Sequence, residues 1–500
     1  MAFHPQKLTI AGSATLVAIL ITHSPAYAAH YYVTDLGTLG GTESYAWDLN
    51  AGGQVVGYAT TADDATVDAF LWSPTNPNAP TGSMIDMGTL GGTYAWGVGI
   101  NTAGQVAGVS ATPGDAAEHA TLWKPTSPNN SSGTLHDLGT LGGTYSQANA
   151  INTTGLVTGL SDTPDDVDTH AFLWKPTTPG GTSGALHDLG SLGGPFTVGW
   201  DINDNGQVVG TSDVTDLENS GHAFLWQPNV PNGISGIMHD LGTLGGSTSN
   251  GAGVNNLGQI AGSADTLDDA ATHAFLWNPS SPGGTAGAML DLGTLGGLNS
   301  YGSAVGAAGQ VVGTSEVDLQ VSTYTHAFLH AAGGMVDLNT LINPFSGWEL
   351  LDAMSINNVG QIAGQGLING EYHAYLLTPV LAGDVNADGI VNGQDIALIA
   401  SNWLNTGTTA TGDANYDGIV NGQDIALVAS NWLQSVGNTA NASAVPEPAS
   451  LCLLVIAVLG LMAVHRRLGQ GNTRLALFVA PAVGSCAARE SSTLQCFIER

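Results

Sequence analysis

One phrase, written seven times, sets the limits on how this chain can fold. DLGTLGG, an apolar stretch ending in Ile/Leu-Asn, then GQVVG and HAFLW return roughly every 51 residues, a period typical of propeller blades and of repeat arrays. The opening Asp falls at Asp35, Asp86, Asp137, Asp188, Asp240, Asp291 and Asp337. The aromatic strand that closes the phrase follows at Phe70, Leu122, Phe172, Phe224, Phe275, Phe328 and Tyr375. A repeat of this kind is architecture first. Function must reside in what differs between copies, or in what is attached to them.

Each unit holds four short apolar runs separated by turn residues. In the second unit they are Met84-Ile85-Asp86-Met87, Ala95 to Ile100, Gln105 to Val109 and His119 to Trp123, with Gly91-Gly92, Asn101-Thr102-Ala103-Gly104 and an acidic loop at Gly114-Asp115 between them. Runs this short, bounded by Gly, Asn and Asp, read as strands. Four strands in such a unit is the arithmetic of a propeller blade, and seven blades close a ring within the usual range. The sequence therefore predicts an all-β main domain, a seven-bladed β-propeller-like array over residues 29–379. A β-solenoid is the rival architecture, disfavoured because its coils are usually shorter and each unit would have to supply two unlike ones.

The triplets His170-Ala171-Phe172, His222-Ala223-Phe224, His273-Ala274-Phe275 and His326-Ala327-Phe328 resemble the extracellular HAF repeats. The resemblance covers about residues 31–379 and implies an exported β-rich protein with no defined reaction. The first unit departs from it with Asp68 in the His place, and the sixth carries Val305-Gly306 where the others have Ile/Leu/Val-Asn.

Charge narrows the range of partners. The chain has 40 acidic and 8 basic residues; only Lys124 and Lys175 are basic within the repeats, and the first Arg is Arg466. Such a surface repels phosphate backbones, so nucleic acid is excluded as a partner, while calcium and, more weakly, neutral glycans are favoured. At the N-terminus, Lys7, the apolar run Leu16 to Ile21 and Ala26-Tyr27-Ala28 read as a signal peptide over residues 1–28. Cys452, Cys486 and Cys496 all lie at or beyond a C-terminal apolar run, so disulfides cannot stabilise the exported part.

Within the repeats, His119, His170, His222, His273, His326 and His373 recur at one strand position. Repetition points to one intra-blade hydrogen bond made again and again rather than to a catalytic group, which needs a singular setting. Trp72, Trp123, Trp174, Trp226 and Trp277 read in the same way as packing residues, with a sugar-stacking platform as the alternative. The acidic loops, Asp63-Asp64, Asp115, Asp162 with Asp165-Asp166, Asp213 with Asp216, and Asp265 with Asp268-Asp269, read as turn residues. Paired carboxylates for glycoside hydrolysis and calcium ligation remain their alternatives. The absence of Arg from the repeats excludes the arginine-held carboxylate recognition of propeller sialidases, and GTLGG is a turn rather than a phosphate cradle.

The strongest chemical signal lies at GDVNADGIVNGQDIALIASNWL and GDANYDGIVNGQDIALVASNWL. Calcium takes six to eight hard oxygens, which a twelve-residue loop delivers from positions 1, 3, 5, 7, 9 and 12. Those positions hold Asp384, Asn386, Asp388, the Ile390 carbonyl, Asn392 and Asp395 in the first loop, with Gly389 at the turn. The second offers Asp413, Asn415, Asp417, the Ile419 carbonyl, Asn421 and Asp424, with Gly418 at the turn. Two Ca2+ sites are expected. Asp at the twelfth position and the Ile-Ala-Leu-x-Ala-Ser-Asn-Trp-Leu helix after each loop resemble the type I dockerin domain, placed at residues 383–436. The resemblance implies docking onto a cohesin-type partner. Gly393-Gln394 and Gly422-Gln423 stand where a cohesin usually reads the surface, without the hydroxyl residues of the best-known cellulosomal dockerins.

After a linker over residues 437–445, Val445-Pro446-Glu447-Pro448, an apolar run to Val464 and Arg466-Arg467 resemble the PEP-CTERM sorting signal, which implies processing by an exosortase-type peptidase. Its apolar run is a little short of a full bilayer span, the Arg pair marks a cytoplasmic side, and a plain membrane anchor is the alternative. The segment spans residues 446–467, and residues 468–500 receive no role. Two readings of function follow. One is a non-catalytic, exported surface protein with a calcium-dependent docking module; the other is a secreted carbohydrate-active enzyme or accessory whose repeats meet polysaccharide.

Overall fold

The computed structural model describes residues 30–215, 221–318, 324–385, 390–406, 412–414 and 419–432. The chain divides into two units, Met1–Gly437 and Asn438–Arg500; the second, with the 446–467 segment, lies wholly outside the described residues, as do residues 1–28, where a signal peptide is expected. Among the described residues no helix is long and apolar enough to cross a membrane.

Seven antiparallel sheets form the seven blades of a propeller. Blade one runs Gly40–Leu49, Val55–Thr61, Val67–Pro74 and Gly82–Asp86 from the axis outward, each strand paired with the next. Blades two to six repeat this order and open on Ala95–Ile100, Ser146–Ile151, Thr197–Ile202, Gly245–Val254 and Ser300–Val305. The phase of the repeat differs from the sequence reading. The DLG run that seemed to open each unit is the outermost strand of the preceding blade, so Gly82–Asp86 pairs with Val67–Pro74. A periodic phrase has the same period wherever it is cut, and only strand pairing shows the cut.

Closure makes the phase plain. His30–Asp35, at the start of the described chain, is the outer strand of blade seven, pairing with Glu371–Val380 in the register Tyr31 to Pro379 and Asp35 to Tyr375. The inner part of that blade is irregular, since Trp348–Leu350 and Ser355–Ile356 both pair with Ile362–Ile368. Ring closure thus joins residues 338 apart in the chain, as in the His373–Asp35 bond, a cost that grows only slowly with loop length.

Apolar cores lie between blades rather than within them. Val209, Ala223 and Leu225 of blade four pack with Val254, Ile260, Phe275 and Trp277 of blade five, and the other seams repeat the pattern. Trp72, Trp123, Trp174, Trp226 and Trp277 are all buried there, so the packing reading of this series holds. Each such aromatic contributes roughly 1.5–3 kcal/mol of burial, which a lone blade with one face open to water would forfeit.

A polar ladder ties the seams at the axis. Asn50 accepts the Gly52 and Gln54 amides on its Oδ1 and donates from Nδ2 to Gln54 Oε1 and to the Asn101 carbonyl of the next blade. The same inter-blade bond runs from Asn101 to Asn152, Asn152 to Asn203, Asn203 to Asn255, Asn255 to Gly306 and, across the closure, Asn357 to Asn50, at 3.0–3.2 Å. The recurrent Asn-x-x-Gly-Gln motif is therefore a latch, in which every polar atom of the buried Asn is used.

Candidate functional site

The recurring histidines make the expected repeated contact. Nδ1 of His119, His170, His222, His273, His326 and His373 lies 2.7–2.9 Å from a carboxylate oxygen of Asp137, Asp188, Asp240, Asp291, Asp337 and Asp35. Each bond ties a blade's third strand to its outermost strand. In blade one the pair becomes Asp68 beside Asp86, and burial together with that like charge holds the Asp68 carboxyl above its usual range. The acidic loops are equally local in part. Asp64, Asp115, Asp166 and Asp269 each accept the backbone N–H of the Thr or Ser that follows Gly-Gly, at 2.6–2.8 Å. Asp216 lies outside the described residues.

Blade-to-blade differences concentrate at one place. In the innermost strand of each of the first six blades, the pairing register jumps by one residue. The residues skipped are Trp47, Val98, Asn149, Trp200, Ala252 and Ser303, and all six line the central channel. A β-bulge leaves one residue out of the ladder and re-aims its side chain, so a sevenfold scaffold presents a row of unlike residues to the axis. The Gly of GQVVG makes the bulge possible: a Cβ on Gly57, Gly159 or Gly210 would run into the carbonyl oxygen of Tyr45, Gln147 or Val198 on the bulged strand. Sequence reading assigned those glycines only to a strand. It also gave no role to Trp47, Trp96 and Trp200, which fall outside the recurring Trp72 series.

The channel holds about 860 Å³. Trp47 and Trp96 line it and are linked through two tyrosines outside the lining: Trp47 lies 4.6 Å from Tyr45 between ring centroids, Tyr45 stacks on Tyr58 at 5.7 Å, and Tyr58 meets Trp96 at 5.9 Å. The Trp47 indole N–H is buried without a hydrogen-bond partner. Blade three adds an oriented amide chain, in which Tyr145 donates its hydroxyl to Gln147, Gln147 donates to Asn149, and Asn149 donates to the Gly199 carbonyl, at 2.8–2.9 Å.

Carboxylates border this channel. Asp48 accepts from the Leu49 and Ile100 amides and the Ser355 hydroxyl at 2.6–2.8 Å, linking blade one to its neighbours on both sides; burial nevertheless pushes its pKa up to about 6. Asp201 makes the same forward link to Val254 and is likewise raised by burial. Asp352, which is not part of the channel lining, accepts from the Tyr45 hydroxyl at 3.0 Å and the Gln365 amide at 2.8 Å, and burial pushes it up to about 6.

The second candidate is the paired-loop segment. Helix α1 covers Gly393–Ser401 and α2 Gly422–Ser430. Asn392 caps α1 and Asn421 caps α2, and the carboxylates of Asp395 and Asp424 each close a capping box. Both carboxylates are fully buried. Asp395 accepts the Val385 and Asn392 amides at 2.8 and 2.7 Å, and Asp424 accepts the Ala414 and Asn421 amides at 2.7 Å each.

The two halves interlock. Val391, Ile399, Val420 and Val428 form one shared core. Gly383, at φ +93°, leaves no room for a Cβ against Val428 of α2, and Gly412, at φ +99°, packs closely on Ile399 of α1, where a Cβ would be tight. Of the twelve expected calcium ligands, Asp384, Ile390, Asn392, Asp395, Asp413, Ile419, Asn421 and Asp424 are described, whereas Asn386, Asp388, Asn415 and Asp417 lie outside the described residues. Among those described, Asn392 donates to the Ile390 carbonyl and Asn421 to the Ile419 carbonyl at 3.0 Å, so loop positions seven and nine meet in both loops. The donor set is all hard oxygen. Residues 382–433 hold six Asp and no Lys or Arg, a balance that suits a bound cation.

The architecture thus defines an all-β propeller protein carrying a short two-helix module. Residues 382–433 match the Dockerin type I domain and residues 444–467 match the PEP-CTERM protein-sorting motif. No curated protein matches the chain. Among solved structures, Trypanosoma rangeli sialidase in complex with 2,3-difluorosialic acid is similar at TM-score 0.34 and 9% identity, over 68% of this chain and 54% of that one. Pyrococcus horikoshii acylaminoacyl peptidase is similar at TM-score 0.29 and 12% identity, over 69% of this chain and 47% of that one. The chain spans about half the length of these structures, and likeness so distant does not bear on activity.

Proposed function

We propose that this is an exported, surface-displayed, non-catalytic protein, in which the propeller is a binding domain and the dockerin-type module docks it, with calcium bound, onto a cohesin-class partner. The observation that carries the reading is the pair of in-register loops, each burying a carboxylate beside a shared core in a segment without a single basic residue. Export rests on the PEP-CTERM match and on the leader-like first 28 residues.

In this reading Asp384, Asn386, Asp388, Ile390, Asn392 and Asp395 hold one Ca2+, and Asp413, Asn415, Asp417, Ile419, Asn421 and Asp424 hold a second. Calcium supplies charge neutralisation and loop closure when bound. The chain's own contribution is positional. The amides fix Asp395 and Asp424 in place, and the two glycines let each loop abut the opposite helix. Processing near Pro446-Glu447-Pro448 by an exosortase-type peptidase would release or transfer the ectodomain.

Titration of the full chain with a type I cohesin, in calcium and in excess chelator, tests the docking role. Saturable binding confined to the calcium arm is expected. Equal binding in both arms, or none to any cohesin offered, would remove it.

A further inference from the structure

The wall of the central channel carries the chemistry that would select a ligand for the propeller. We propose that the central channel is a binding site for a neutral oligosaccharide. The proposal rests on the reading of the propeller as the displayed binding domain, and goes further by naming the ligand class and the residues that take it.

Three independent observations converge. The first is placement: six bulges, at one position in six blades, put unlike residues on the axis while Asn latches, His–Asp pairs and Trp-lined seams repeat around them. Divergence confined to a wall that a scaffold is built to present is the pattern of a ligand site rather than of packing. The channel volume of about 860 Å³ falls within the usual range of such sites.

The second is residue type. A pyranose offers an apolar face of C–H groups and a rim of hydroxyls, so its complement is an aromatic plane beside amides that both donate and accept. Trp47 and Trp96 stand at the two ends of a continuous aromatic run, Trp200 lines the channel from blade four with a side chain 38% exposed, and Tyr301 lines it from blade six at 42%. Between Trp96 and Trp200 lie Gln147 and Asn149, their amides pre-aligned by Tyr145. Gln147 Nε2 keeps a second N–H beyond its bond to Asn149. A donor left over on a channel wall, next to ring faces, suits a hydroxyl oxygen.

The third is charge. The only two basic residues in the repeats are committed elsewhere: Lys124 donates to the Gly180 carbonyl and Lys175 to the Asn232 carbonyl, at 2.7 and 2.8 Å. A phosphorylated, sulfated or uronic ligand would meet Asp48 and Asp201 with no countercharge, which selects for neutral sugars.

The test is calorimetric titration of the full chain in calcium with cellotetraose, xylotetraose, mannotetraose and maltotetraose, beside tetragalacturonate as the anionic arm and a chitosan tetramer as the cationic one. At least one neutral tetrasaccharide should bind saturably with Kd below about 1 mM and change tryptophan emission. Trp96→Ala and Trp200→Ala should each weaken it roughly tenfold or more, the cost of one lost stacking plane. Gln147→Ala, which removes no ring from the wall, should weaken it as well, and Trp403→Ala in the docking module should not. Absence of binding by every neutral arm below about 10 mM, binding confined to the chitosan tetramer, or undiminished binding by a folded Trp200→Ala variant would each overturn the proposal. Cohesin binding, measured on the same sample, separates that failure from failure of the docking function.

Discussion

Asn255 donates its side-chain N–H to the Gly306 carbonyl oxygen at 3.0 Å, and Gly306 has no side chain with which to pass the link on. The ladder of axial latches therefore breaks between blades six and seven, next to the blade that the N-terminal strand completes. A Cβ on Gly306 would meet nothing closer than the free end of Gln310, the group that an Asn would bond, as Asn255 bonds Gln259. Gly306→Asn is expected to stabilise the propeller by about 1 kcal/mol, through the restored bond and a stiffer unfolded chain. Equilibrium denaturation checks it, as a rise in midpoint at unchanged slope.

Blade one lacks the His–Asp clasp of the other six. Replacing Asp68 by His removes its repulsion from Asp86 and should recreate the clasp, adding roughly 0.5 kcal/mol near pH 6, where the imidazole carries charge. The gain should shrink in 1 M salt, because the pair is partly exposed. A gain that salt leaves unchanged would mean packing rather than charge.

The period, blade number and loop positions were legible in the sequence because repetition reports on them directly. The phase was not, since the pairing of His30–Asp35 with Glu371–Val380 is a contact between distant ends that no local pattern announces. Recurrence also identified Trp72 and its equivalents as packing residues. The same logic hid the channel wall. Val98, Asn149, Trp200 and Ser303 share a structural position but no residue type, and only the bulge reveals that they are equivalent. In the paired-loop segment the helix after each loop was readable, whereas the exchange of Gly383 and Gly412 onto opposite helices depended on how the two loops pack.

Stability of the propeller should depend on pH in a definite direction. Burial raises Asp48 and Asp352 to about 6, above their unfolded value of 3.8, so the folded state binds more protons between those limits. Stability then falls as pH rises from about 4 to 6. The bond to Asp337 raises His326 above 6.5, a contribution present below that value and lost as pH climbs through the folded pKa. The opposing groups are Asp64, Asp204, Glu316 and Asp337, held low by their hydrogen bonds and losing their contribution only below about 4, and His330, lowered by burial, whose stabilising effect is lost as pH falls below 6.5. The melting temperature of residues 30–380 should be higher at pH 5 than at pH 7.5, and Asp352→Asn should flatten the difference.

The exported form is expected to lose both ends, running from about residue 29 to the mid-440s, and so to carry no thiol, because Cys452, Cys486 and Cys496 lie beyond that point. Intact-mass measurement on surface-associated protein decides the matter. Recovery of a peptide containing Cys486 or Cys496 from that form would favour a retained anchor.

The most direct test of the account is circular dichroism of residues 382–433 with and without calcium. Each loop gathers three carboxylates with no basic residue nearby, and roughly 50 residues make a marginal core, so metal should decide whether α1 and α2 form. Calcium is expected to produce the helical signal, chelator to abolish it, and Asp384→Asn with Asp413→Asn, which leaves both capping boxes intact, to remove the response. A segment equally helical in excess chelator, or one whose double variant responds as the parent does, would contradict a calcium-built docking module.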